Sequence, residues 1–166
     1  MYTKHDFIRA VAHETKICQH LHGKLSEAAL SYRPAAGARS TLELLQYLTY
    51  CASGPVEALV KGDWSLIAGL REEANTLTLA EFPARMETQR SRVSRVVEGL
   101  TESDLGRPAQ LPWGVTTTLG AGLVDTALRF LSAYRLQLFN NIKACGHPEL
   151  STHDAWRGQS APTKSA

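Results

Sequence analysis

Phe130-Leu131-Ser132-Ala133-Tyr134-Arg135-Leu136-Gln137-Leu138 is the stretch whose reading decides the fold. It lies within a run from about Gly120 to Cys145 in which Leu123, Ala127, Phe130, Leu131, Tyr134, Leu138 and Ile142 recur every three or four residues. Only a helix gathers that spacing onto one face. Gly146 follows, where a residue without Cβ ends a helix in the left-handed conformation at no steric cost.

The same period recurs upstream. From about Asp6 to Leu30, Phe7, Ile8, Val11, Cys18, Leu21 and Leu25 share one side. Tyr32-Arg33-Pro34 closes that segment, because Pro34 lacks a donor and pushes its predecessor out of helical geometry. Ser40-x-x-Glu43 is a capping-box signature and opens a second helix with Leu44, Leu45, Leu48, Cys51 and Ala52 as its apolar side. Ser53-Gly54-Pro55 interrupts or bends it, with a turn or two more over Val56 to Val60. Lys61 to Thr76 reads as loop with a short helix around Leu66. Thr78-x-x-Glu81 marks the start of a third long helix, with Pro83 in its first turn and Met86, Val93, Val96, Val97 and Leu100 as its stripe. Thr101 to Thr118, with Gly106, Pro108, Pro112 and Gly114, reads as a long connection. No segment reads as a strand. The expected fold class is all-α, an antiparallel four-helix bundle with a long crossover connection. The expected domain covers residues 1–156, with a loose tail over 157–166.

Composition narrows the function classes. A chain of 166 residues, 43% hydrophobic and 20% charged, is an ordinary single globular domain. A net charge of +2 gives no preference for nucleic acid or anionic membrane. Arg85, Arg90, Arg92 and Arg95 alternate with Glu81, Glu87 and Glu98, the mixture of a solvated helix face. Three scattered cysteines, Cys18, Cys51 and Cys145, suggest a reducing compartment. No apolar run reaches the ~18 residues of a membrane span, and the opening Met1-Tyr2-Thr3-Lys4-His5-Asp6 lacks an apolar signal core. The expectation is a cytoplasmic protein that engages neither nucleic acid nor membrane.

A helix-borne metal pair needs ligands at i and i+3 or i+4. None of the six histidines pairs with another that way. His13 and His20 are seven apart, roughly 10 Å along a helix, on a face expected to be wet. His22 borders the apolar stripe, as a structural histidine or a pocket wall. Cys145, His147, His153 and Asp154 are suitable ligand types without paired spacing. Cys18 and Cys51 occupy apolar helix positions, where a thiol behaves as a small hydrophobe. No Ser/His/Asp order, phosphate loop or dinucleotide fingerprint is present, and no catalytic residue is assigned.

Several motifs carry a resemblance: Arg33-Pro34, Ser40 with Glu43, Pro112-Trp113-Gly114, and Tyr134-Arg135-x-Gln137-Leu138. From the first helix to Gly146 the chain resembles the DinB-like four-helix-bundle family. Its members carry one histidine on the second helix and a His-x-x-x-His-Arg-x-Gln-Leu stretch on the last, and the three histidines hold a divalent metal. The corresponding positions here are Tyr47, Phe130 and Tyr134. The resemblance also implies a homodimer paired through bundle helices. Phe130 has no lone pair, and a neutral phenol with pKa near ~10 is a poor ligand for zinc or nickel. The expectation is a DinB-like protein with no bound metal, acting as a small-molecule-binding or structural bundle. Two arrangements stay open. The rings fill the core, or they line a pocket in which Tyr47 and Tyr134 orient a small organic ligand, with Tyr50, Trp113 and His22 as further walls. The alternative function is a divalent-metal-dependent thiol transferase or isomerase, holding Zn or Ni through substitute ligands such as His22. A metal-free enzyme with Tyr47 or Tyr134 as general acid would need a nearby charge to tune the phenol, and the sequence offers none.

Overall fold

Thr3 caps the first helix, α1 (Lys4–His22), by accepting from the Asp6 amide. The computed structural model describes residues 3–162, so Met1 and Tyr2 of the opening segment lie outside it. α1 stops short of the expected Leu30. Beyond Gly23 the chain tightens into a 3-10 turn over Glu27–Ala29, while Leu25 still packs on the core from irregular backbone. Burial without helix is why the apolar period overran the helix end.

α2 (Thr41–Leu48) opens with the reciprocal cap that Ser40 and Glu43 encode. The Glu43 amide donates to Ser40 Oγ at 3.2 Å, and Glu43 Oε2 accepts from the Ser40 amide at 2.8 Å. α3 (Ser53–Lys61) carries Pro55 in its first turn, where no donor is needed. The break between α2 and α3 is bridged by the buried Gln89. Its Oε1 accepts from the amides of Ala52 and Ser53 at 2.9 and 3.3 Å, and its Nε2 donates to the Leu48 carbonyl at 2.8 Å. α4 (Leu66–Ala74) is the short helix expected near Leu66. α5 (Phe82–Glu98) follows a cap in which the Glu81 carboxylate accepts from the Thr78 amide at 2.9 Å.

The connection from Thr101 to Thr118 holds more structure than the sequence suggested. It contains α6 (Glu102–Gly106) and a hairpin of β1 (Pro108–Gln110) and β2 (Thr116–Thr118), paired antiparallel with Ala109 opposite Thr117. Three threonines suit a strand, but three residues are too few for an alternating pattern to show. Gly114 turns the hairpin at φ 86°. The last long rod runs through α7 (Leu119–Leu123), a π-helical turn over Val124–Leu128, and α8 (Arg129–Ala144). At the π turn the Thr126 hydroxyl donates back to the Gly122 carbonyl at 2.7 Å.

α1 packs along α5 and α8, α3 against α5 and α7, and α2 against α8. Lys4 Nζ donates to the Leu100 carbonyl beyond the end of α5, and Gln19 near the end of α1 donates to the Pro83 carbonyl at its start. Asn141, late in α8, donates to the Thr41 hydroxyl at the start of α2. Ile17, Leu44, Leu45, Phe82, Met86, Leu131 and Leu138 fill the space between. α9 (Thr152–Arg157) folds back on α1. Gly158, in the stretch expected as tail, is buried at φ 59° against the Ile17 backbone, while 163–166 lie outside the described residues. No helix among the described residues is long and apolar enough to cross a membrane.

Candidate functional site

α2 and α8 bring Tyr47 and Tyr134 together with ring centroids 4.6 Å apart, edge to face. Tyr50, one turn beyond Tyr47, packs edge-on at 5.2 Å. Above them lies a residue from the loop before α2. Arg39 places its Cζ 4.3 Å from the Tyr47 centroid and 5.1 Å from that of Tyr134, and its Nη1 donates to the Tyr134 hydroxyl at 3.3 Å. A cation over an aromatic face is attracted by the ring quadrupole. Position 39, just before a helix cap, hinted at its place beside α2. Its contact with a ring 95 residues away had no sequence signal.

Phe130 diverges from this pair and faces Trp113 on the hairpin, with centroids 6.3 Å apart. Tyr47, Phe130 and Tyr134 are all half-buried against the edge of the core. His22 stacks on Phe82 at 5.2 Å, with its Nε2 2.7 Å from the Leu79 carbonyl, so it is committed to the seam between α1 and the start of α5. Of the walls named from sequence, Tyr50 lines the groove beside Tyr47. That groove has a volume of about 310 Å³, lies between α2 and α4, and is lined by Arg39, Glu43, Tyr47, Tyr50, Arg71 and Asn75 among others.

Charge in the groove is uneven. Both oxygens of Glu43 are held by Arg33, at 2.7 and 2.8 Å, and one also by the Ser40 amide. The Arg33 hydrogen bonds and that amide push the Glu43 carboxyl down to about 2. Burial pushes the Tyr47 hydroxyl well above its ordinary range; Cys51 and Tyr134 nearby add to this and Arg39 opposes it. Tyr47 is therefore a neutral donor at physiological pH.

The donor set at the three positions does not fit a divalent metal. It consists of two phenols and a phenyl ring, the Tyr47 phenol is held protonated, and a guanidinium already lies across the rings. Among the described residues no three His, Cys, Asp or Glu side chains gather as a metal-ligand set. Asp154 and His147, from the C-terminal group of candidate ligands, bond instead to His20 and Glu149 at 2.8 and 3.0 Å. On the face expected to be wet, His13 is exposed, with its Nε2 2.8 Å from the Trp156 carbonyl, whereas His20 is partly covered by α9 and meets Asp154. Cys18 and Cys51 are fully buried, and burial pushes both thiols well up, away from nucleophilic use.

Deeper in, Arg135 is 1% exposed and pairs with Glu14 through Nε at 2.8 Å, with its Cζ 4.6 Å from the Trp156 ring centroid. It ties α8 to α1 and to α9.

No family model matches the sequence, and no curated protein matches it either. Among solved structures, the crystal structure of a DinB-like protein from Bacillus subtilis, YjoA, is similar with a TM-score of 0.70 at 23% identity. The similarity covers 87% of this chain and 95% of that one. At that level of identity it speaks for architecture, and the chain has the helical fold of a DinB-like protein.

Proposed function

We propose that this protein is a metal-free member of the DinB-like family that binds a small organic molecule in the groove beside Tyr47. In this reading α1, α2–α3, α5 and α7–α8 are the four rods of an antiparallel bundle, and residues 62–81 form its long crossover. The pairings of Lys4 with Leu100, Gln19 with Pro83 and Asn141 with Thr41 support those directions. One observation carries the functional reading. Where the resemblance implies a metal ion, this chain sets the Arg39 guanidinium on the rings of Tyr47 and Tyr134. A resident cation of the protein's own repels a second one and leaves the adjoining groove to an organic guest. The metal-dependent transferase or isomerase reading draws no support from His22, whose ring nitrogen is already bonded to Leu79.

The test is a fragment titration of the full chain followed by protein NMR, with zinc calorimetry alongside. Single-ring fragments should shift the amides of residues 43–50 and 71–75, and Tyr47→Phe with Tyr134→Phe should weaken them. Zinc should bind with less than one equivalent. No response to any fragment would leave a structural bundle; stoichiometric zinc lost on His22→Ala would restore the metal enzyme. We also propose a cytoplasmic homodimer. Trp113, Val115 and Leu136, each at least 41% exposed, supply apolar surface for such pairing. Light scattering on the purified chain should return twice its 18.2 kDa mass.

A further inference from the structure

We infer that the ligand of the Tyr47 groove is a small aromatic carboxylic acid, taken up as its anion by Arg39 and Arg71. This rests on the small-molecule reading above and adds the charge and size of the guest.

Three charged side chains line the groove: Arg39 from the loop before α2, Glu43 from α2 and Arg71 from α4. Glu43 is spent, because Arg33 grips both its oxygens and the Ser40 amide holds one of them. Glu73, two residues beyond Arg71, is drawn away to Arg85 at 2.7 Å. Among the described residues neither Arg39 nor Arg71 has a carboxylate within salt-bridge distance. Two guanidinium groups therefore face one concavity with no free counter-charge in it.

Arg39 is also held in a receptive posture. Its Cζ lies 4.3 and 5.1 Å from the two tyrosine centroids, and among the described residues its hydrogen bond to a side chain is the one at 3.3 Å to Tyr134, so most of its five N–H donors stay open. A planar guanidinium with free edges matches a carboxylate in two parallel hydrogen bonds. The neutral Tyr47 hydroxyl is a further donor to an anion's oxygen. The rest of the lining suits an aromatic body: the Tyr47 ring forms a wall, Tyr50 is buried behind it, and Asn75 and Gln46 supply polar edges.

Size sets the upper limit. About 310 Å³ is at the low end of ligand pockets, room for one ring and its acid group and too little for a nucleotide. The lining includes no glycine loop offering successive amides, the usual cradle of a phosphate.

The experiment uses isotope-labelled full-length protein titrated with sodium benzoate, benzamide, benzylammonium chloride and sodium phosphate. Benzoate is expected to shift the amides of Arg39, Tyr47, Tyr50, Arg71 and Asn75 saturably. Benzamide and benzylammonium should bind at least about tenfold more weakly, the loss expected when a charge-assisted pair is removed. Arg71→Gln, at an exposed position, should weaken benzoate about tenfold and leave benzamide unchanged. Raising the salt should weaken benzoate alone. Benzamide or benzylammonium binding in the groove as tightly as benzoate would overturn the anionic inference while leaving the small-molecule reading intact. Phosphate displacing benzoate on equal terms would overturn the aromatic acid in favour of a general anion site. If none of the probes reaches the groove, the small-molecule reading itself falls.

Discussion

Gln89 satisfies the backbone where α2 gives way to α3, since the Ala52 and Ser53 amides and the Leu48 carbonyl all find their partner in its side chain. Leucine there would keep the volume and strand three buried polar groups. Gln89→Leu is therefore expected to cost about 2 kcal/mol or more, read from urea denaturation. Tyr134 tests the aromatic pair in a different way. It is half-buried, whereas Leu138, one turn on, is fully buried. Leu138→Ala should cost about 3 kcal/mol, within the range for buried leucines, and Tyr134→Ala distinctly less. An equal or larger loss at Tyr134 would mark it as core. At this scale the sequence was informative about residue types and silent about company. It showed that no imidazole stands at positions 47, 130 and 134, and it could not show that Arg39 would lie across two of them.

Capping chemistry is local, and so the starts of α2 and of the 3-10 turn over Leu79–Glu81 that leads into α5 were readable from four residues each. Helix ends were harder. Leu25 follows the apolar period of α1 but packs half-buried on the core from a loop, and β1 and β2 are too short for any periodicity. α9 shows what an element gains from tertiary contacts. Only six residues long, it is held by Asp154 to His20 and by the Trp156 carbonyl to His13. Burial pushes the Asp154 carboxyl up, but its hydrogen bonds from His20 and from the Ser151 amide and hydroxyl outweigh that and leave it below its ordinary value. A depressed carboxyl contributes stability that is complete above the ordinary value near ~3.9 and is lost as the pH falls through the lower folded value. Protection from hydrogen exchange at residues 152–158, taken relative to the intrinsic rate at each pH, should accordingly fall as the pH drops below about 4, before the core amides respond. Asp154→Asn should remove most of that pH dependence. Unchanged protection down to the global acid transition would show that α9 is held by packing alone.

Across the whole molecule, the buried Arg135–Glu14 pair links α8 to α1, and the Arg135 guanidinium also faces Trp156 on α9. Removing one partner strands the other charge inside. Arg135→Met should therefore lose about 3 kcal/mol or more, while Arg135→Met with Glu14→Leu should recover most of it. A double variant no better than the single one would mean that the pair itself, and not the stranded charge, sets the cost. The sequence by itself determined that this chain is helical, where its rods begin, and that the side chains at positions 47, 130 and 134 are ill suited to a divalent ion. Those properties follow from period, caps and side-chain chemistry, which act over a few neighbouring residues. Only the tertiary structure decided that Arg39 rests on Tyr47 and Tyr134, that Phe130 turns to Trp113, that α9 bonds to His13 and His20, and that a groove opens between α2 and α4. Each of these depends on how close two distant segments come, and that distance is set by the packing of the core between them.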